Sequence, residues 1–99
     1  EIPQKDYTKW LDYDMIKGSL VLRNPSEGDY LILNSQGDKK KLARYYIDRK
    51  IPRDDRASQI VLADGSHVLW AVPERISAAC KISERTENIL VITKTRDLP

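Results

Sequence analysis

The amino-acid sequence predicts an α+β domain: a small, curved, mostly antiparallel sheet, verging on a barrel, with one main helix and a short helical turn. Three observations carry this prediction. Short apolar runs bounded by turn residues recur along the chain, IVLADGSHVLWAV has the pattern of a β-hairpin, and only one stretch, between residues 39 and 50, places apolar residues at helical spacing.

In order, SLVLR (19–23) alternates Leu20 and Leu22 with Val21 and Arg23, and YLIL (30–33) follows the turn-rich NPSEGD, which gives two strands. NSQGD (34–38) breaks the pattern. Asp38 is then placed to N-cap a helix whose apolar positions Leu42, Tyr45 and Tyr46 fall at i, i+3 and i+4. This puts Lys39, Lys40 and Lys41 in the first turn, where the helix dipole makes each cation cost a few tenths of a kcal/mol, roughly. The helix must stop before Pro52, because the ring pushes Ile51 to extended geometry, and Pro52 starts a short second turn in PRDDR.

Downstream, IVLA (60–63) and HVLWAV (67–72) flank Asp64-Gly65, read as a two-residue hairpin turn. NILVIT (88–93) has no turn residue inside it and reads as a last strand, central and buried. Between them PERISAACKISERTE has no clear period, and Ser83 and Glu84 suggest one helical turn. Residues 1–8 and the tail after Thr95 read as frayed ends.

Ninety-nine residues suit a single domain, with its core over about 9–93. The composition, 40% apolar and 32% charged, belongs to globular chains rather than disordered ones. The single cysteine excludes an internal disulfide and fits a reducing, cytoplasmic setting. No apolar run reaches the roughly 18 residues of a membrane span, so no membrane partner is expected. The first residue, Glu1, suggests a piece of a longer protein.

The net charge of +2 conceals an uneven distribution. Residues 39–56 hold eight cations, Lys39, Lys40, Lys41, Arg44, Arg49, Lys50, Arg53 and Arg56, against Asp48, Asp54 and Asp55, a net of +5. The other 81 residues hold nine cations and twelve acids, a net of −3. Such asymmetry directs a polyanion to one face, while a solvated charged helix is the plainer reading of the same residues.

Catalytic readings find little support. His67 is the sole histidine and Cys80 has no partner cysteine, so the three or four protein ligands of a zinc site cannot be assembled from them. A Cys80–His67 nucleophile pair is outweighed by the small-residue run SAAC, which suits a buried packing thiol. Ser77, Ser83 and His67 form no recognisable triad motif. Neither a nucleophile elbow nor a phosphate-binding glycine loop is present, and the chain has only four glycines. Tyr45 and Tyr46 could stack bases, but their spacing from Leu42 assigns at least one to the core. Trp70, within a hairpin strand, is a core anchor.

The runs GDKKKLARYYIDRKIPRDDR, IVLADGSHVLWAVPERIS and CKISERTENILVI together resemble the C-terminal domain of tRNA(Ile)-lysidine synthetase. That family's pattern is a lysine pair and leucine, an aromatic-rich turn, D-x-K-I-P-x-x-x-R, a D-G hairpin, a tryptophan and R-I-S. WLDYDMIKGSLVLRNPSEGD adds the L-x-L-R and G-D elements at Leu20, Leu22, Arg23, Gly28 and Asp29. The resemblance spans roughly residues 9–93, and K-I-P-R is its most specific string.

The resemblance implies a non-catalytic tRNA-binding domain. In such enzymes a separate N-terminal domain, with an S-G-G-x-D-S loop, uses ATP to join lysine to the wobble cytidine of isoleucine tRNA. That loop is absent from this sequence, so ATP belongs to the parent enzyme and no cofactor is expected here. The family role of the C-terminal domain is to hold the tRNA acceptor stem. The implied partners are isoleucine tRNA and the rest of the enzyme, with a docking or dimerisation module, including a homodimer, as the alternative. On this reading Lys39, Lys40, Lys41, Arg44, Arg49, Lys50, Arg53 and Arg56 meet RNA phosphates. The helix start, with its free N–H groups, adds to the anion site. Asp48, Asp54 and Asp55 orient the arginines or pair with them in solvent. Acceptor-stem RNA is A-form, so phosphates, 2′-hydroxyls and shape should matter more than base edges.

Overall fold

The computed structural model describes residues 8–93. Eight strands and two short helices follow in the order β1 (Thr8–Asp12), β2 (Leu20–Arg23), β3 (Tyr30–Ile32), β4 (Lys39–Lys41), α1 (Leu42–Asp48), α2 (Arg53–Arg56), β5 (Val61–Asp64), β6 (His67–Ala71), β7 (Arg75–Ile76) and β8 (Ile89–Thr93). Single 3-10 turns lie at Tyr13–Met15 and Ala78–Cys80. The α+β class is as the sequence predicts.

The main sheet runs β2-β5-β6-β3-β4, with β7 also on β6, and its β3–β6 pair is parallel while the rest are antiparallel. It is mixed and open rather than barrel-like, since β2 and β4 are edges that do not meet. A separate ribbon pairs β1 with β8, from Thr8↔Thr93 to Asp12↔Ile89.

Strands β5 and β6 are buried on both faces. One face packs Val61, Ala63, Val68 and Ala71 against Leu42 and Tyr46 of α1, with Tyr45 and Ile51 at the margin. The opposite face packs Leu62, Leu69 and Trp70 against Leu11, Cys80 and the inward side of the ribbon, Leu90 and Ile92. Strict alternation in HVLWA would split Leu69 from Trp70. The register instead shifts between Leu62↔Trp70 and Ala63↔Val68, so Leu69 is the extra residue of a β-bulge and both side chains reach one face. Trp70 is 1% exposed, the core anchor expected of it.

Several sequence readings change. The helix begins at Leu42, not after Asp38, and the three lysines form an edge strand instead of its first turn. Leu42 N–H donates to the backbone carbonyl of Asp29 at 2.9 Å, so the helix start is met by tertiary structure. Asp38 instead accepts from the Asn34 side-chain amide at 2.9 Å. A short all-lysine edge resists pairing with another sheet, which gives the run a reason that helix logic did not. The hairpin turn is Gly65-Ser66, because Asp64 still pairs with His67; Gly65 takes the positive φ of +62° at its first central position. Asp64 also ties down the segment before β2. Its carboxylate accepts the N–H groups of Lys17 and Gly18 at 3.1 and 2.8 Å, and a Cβ on Gly18 would lie 2.5 Å from it.

NILVIT is not central. Among the described residues β8 pairs only with β1, and Ile89 and Val91 face outward at 43% and 49% exposure. Its apolarity on both faces suggested full burial, but the ribbon is covered on one side only. Its partner β1 lies in the charged stretch TKWLD, which has no strand signature. Thr8, read as frayed, is its first residue, while residues 1–7 and the tail lie outside the described residues. Ser83 and Glu84 form a turn rather than a helix.

Helix α1 ends in a Schellman motif: Ile51 N–H donates to Tyr46 O at 3.0 Å and Lys50 N–H to Ile47 O at 2.9 Å. Lys50 occupies the left-handed position at φ +59°, where glycine is usual. Lys50→Gly is therefore expected to raise stability by about 1 kcal/mol, read as a shift of the urea midpoint at constant slope.

Candidate nucleic-acid interface

The eight cations divide by what already holds them. Lys40 forms an ion pair with Asp48, and Arg44 reaches the same carboxylate at 3.4 Å. The Lys40 hydrogen bond, the larger cause, and the charges of Lys40 and Arg44 hold Asp48 below the usual carboxylate range. Arg49 pairs with Glu74. Arg56 donates Nε–H to the Ile51 carbonyl at 3.0 Å, which fixes its guanidinium beside the Pro52 corner. Lys39, Lys41, Lys50 and Arg53 have no acidic partner among the described residues, and all four are exposed. Asp54 and Asp55 orient none of the arginines among the described residues. They sit in the first turn of α2, the favourable end for acids.

Strand periodicity sends Lys39 and Lys41 to one side of β4 and Lys40 to the other. Lys39 Nζ lies 4.5 Å from the centre of the Tyr30 ring, and Tyr30 is stacked on His67 at 5.3 Å with a 2° interplanar angle. His67 thus completes a row across β4, β3 and β6. Its Nε2 lies 2.7 Å from Ser77 Oγ, which also accepts Ile32 N–H at 3.2 Å. No local pattern signals that these residues meet. Burial, the largest influence, depresses the His67 pKa, with Lys39 adding to it and Asp64 opposing. The ring and the Ser77 hydroxyl share one hydrogen bond, and the pair pins β3 to the segment after β7. It is not a nucleophile pair, since Ser77 is fully buried and its oxygen already holds Ile32. Cys80 is likewise buried, and burial pushes its thiol up to about 11, far from a reactive thiolate.

Beside the basic edge, the loop 24–29 is held by a bidentate pair: Arg23 donates to both Asp29 oxygens at 2.8 and 2.7 Å. Ser26 N–H also reaches Asp29 at 2.7 Å, and Arg23 continues to the Gly65 carbonyl at 2.9 Å. Burial opposes ionisation of Asp29, and the Arg23 and Ser26 hydrogen bonds outweigh it, holding the carboxyl below its usual range. The L-x-L-R and G-D elements are thus two ends of one tie.

The four glycines stand singly, three of them in separate turns with positive φ, so no glycine-rich phosphate cradle is assembled among the described residues. No group of three or more His, Cys, Asp or Glu among them could hold a metal ion. No helix among them is long and apolar enough to cross a membrane.

Fold and surface together define the class: an open, mixed α+β domain with a cationic flank and no catalytic constellation among its described residues. Residues 20–93 match the model of the family described as TilS substrate C-terminal domain. The chain is 36% identical over 92 residues to the tRNA(Ile)-lysidine synthase of Caldanaerobacter subterraneus subsp. tengcongensis, a match covering 93% of this chain and 20% of that protein. It is 34% identical over 83 residues to the same-named protein of Parabacteroides distasonis, covering 84% and 19%. In the bifunctional protein TilS/HprT of Listeria monocytogenes serotype 4b the match is 33% identical and covers 89% and 14%. A crystal structure of a TILS C-terminal domain superposes with a TM-score of 0.69 at 23% identity, over 97% of this chain and 79% of that one, and supports the fold. The chain belongs to the TilS substrate C-terminal domain family. It spans about a fifth of the length of the tRNA(Ile)-lysidine synthases it matches.

Proposed function

We propose that this chain is a non-catalytic tRNA-binding domain, which holds the acceptor-stem region of isoleucine tRNA while another part of a longer, ATP-using, cytoplasmic enzyme forms lysidine. The observation that carries the reading is the set of exposed cations without acidic partners among the described residues, Lys39, Lys41, Lys50 and Arg53, with Arg56 fixed next to them. Lys40 and Arg49, by contrast, are already offset by Asp48 and Glu74. The names of the relatives supply the substrate, isoleucine tRNA.

The test is titration of the 99-residue chain with an acceptor-stem minihelix and with heparin at matched charge. Tighter binding to the minihelix is expected, because A-form shape is what the surface reads. Equal affinity for both would reduce the basic edge to a general polyanion surface. A second role is favoured by the outward-facing Ile89 and Val91 with nearby exposed Tyr13, which suit contact with the remainder of the longer protein or with a second copy. Sedimentation of the same samples reads out self-association.

A further inference from the structure

Tyr30 stands between two side chains that occupy both faces of its ring. Lys39 holds its ammonium 4.5 Å from the ring centre, and His67 stacks on the ring at 5.3 Å with the planes 2° apart. Because β3 lies between β4 and β6, the two approach from opposite sides. His67 is fixed in turn at 2.7 Å from the Oγ of the fully buried Ser77, so the row is anchored at one end and open at the other. Tyr30 belongs to neither apolar cluster of the core. Unlike the Tyr46 hydroxyl, which is sealed in the interior, that of Tyr30 reaches solvent on a partly exposed residue and has no partner among the described residues.

The ligand chemistry follows from what the ring has left to offer. With both faces taken, it cannot stack a base, and only its edge with the hydroxyl, a donor and an acceptor, remains. Next to that hydroxyl is one ammonium. The ring face steers the Lys39 ammonium without neutralising it, since a cation–π contact at an exposed site is worth only about 0.5–1 kcal/mol. The carboxylates around the row face elsewhere. Asp38, beside Lys39 in the chain, accepts the Asn34 amide, and Asp64, opposite His67, accepts the N–H groups of Lys17 and Gly18. A hydroxyl and an unpaired ammonium at this separation match a sugar hydroxyl next to a phosphate. RNA repeats that unit at every nucleotide, and its A-form minor groove displays the 2′-hydroxyls; DNA lacks them.

We infer that Tyr30 and Lys39 make a two-point contact with one ribonucleotide of the RNA backbone, Tyr30 hydrogen-bonding its 2′-hydroxyl and Lys39 meeting the adjoining phosphate. The inference rests on the RNA-binding reading above and deepens it, by naming a residue outside the 39–56 run and the group through which it distinguishes RNA from DNA.

The experiment uses the 99-residue chain and two probes: an acceptor-stem RNA minihelix, and the same minihelix with 2′-fluoro in place of every 2′-hydroxyl, which keeps the A-form and the phosphates. The parent is expected to bind the hydroxyl probe about fivefold tighter, the worth of one hydrogen bond. Tyr30→Phe keeps the ring between Lys39 and His67. It should lose about fivefold on the hydroxyl probe and nothing on the fluoro probe, with an unchanged salt slope. Lys39→Gln should instead weaken both probes and reduce the salt slope by about 1 on each. If both probes bind the parent equally, or Tyr30→Phe leaves the hydroxyl probe unaffected, the contact is wrong and the RNA-binding reading survives. An equal loss on both probes in Tyr30→Phe would show that the hydroxyl serves the fold, and would also overturn the contact. An unchanged slope in Lys39→Gln would remove its phosphate half. If neither probe binds the parent, both readings fall.

Discussion

Arg23→Ala is expected to destabilise the domain by about 3 kcal/mol, the low end for breaking a buried ion pair by removing one partner. The Asp29 side chain is 2% exposed and Arg23 26%, so the variant leaves an almost fully buried carboxylate with only the Ser26 N–H as a side-chain-directed donor. The loop 24–29 would lose its tie to Gly65, and with it the carbonyl of Asp29 that receives the first N–H of α1. The sign of the pH dependence follows from the depressed pKa of Asp29. Its contribution is fully present above the unfolded carboxyl value of about 4 and is lost as the pH falls through the lower folded value. In the variant the carboxyl becomes easier to protonate, so the stability gap to the parent should narrow below about pH 4. Urea unfolding at roughly pH 7 and pH 3 checks both statements; an equal gap at the two pH values would show that Asp29 is not the group involved.

The second large effect concerns binding. Lys41, Lys50 and Arg53 are exposed and have no acidic partners among the described residues, so their combined replacement by glutamine should remove most of the phosphate attraction without disturbing the core. If about four phosphates are neutralised at roughly 0.7–0.9 counterions each, the log–log dependence of affinity on salt has a slope near −3. Between about 50 and 200 mM salt this amounts to a loss of nearly a hundredfold. The triple variant should show a slope of about −1, and its affinity deficit should therefore be largest at low salt. Replacing Lys40 and Arg49 should change the slope less, because Asp48 and Glu74 already offset their charge. An unchanged slope in the triple variant, with circular dichroism intact, would move the RNA surface elsewhere on the domain.

What the sequence revealed was local. The β5–β6 hairpin, the Leu42, Tyr45 and Tyr46 stripe, the stop at Pro52 and the burial of Trp70 and Cys80 all follow from periods and turn chemistry among near neighbours in the chain. What it concealed depended on distant partners. β1 is a strand because β8, from the far end of the described chain, lies beside it, and nothing in TKWLD announces that. Asp38 looked like a cap, but the first N–H of α1 was already taken by Asp29, which only folding brings to it. The cations were visible by composition; which of them are already paired was not, because Glu74 and Arg49 meet across separate elements. Spacing assigned at least one of Tyr45 and Tyr46 to the core, and only the structure shows that it is Tyr46 that is buried while Tyr45 lies at the margin.

The pairing of β1 with β8 also has a mechanical consequence. Because Thr8 lies opposite Thr93, the chain enters and leaves the described domain at the same end of one ribbon. Tension applied between the two ends does not shear the ladder as a unit. It peels the ribbon pair by pair from Thr8↔Thr93 toward Asp12↔Ile89, exposing Leu90, Ile92 and the floor beneath them first. The sheet that carries the lysine edge lies outside this zipper, so a pull through the chain ends opens the ribbon side before it disturbs the cationic flank.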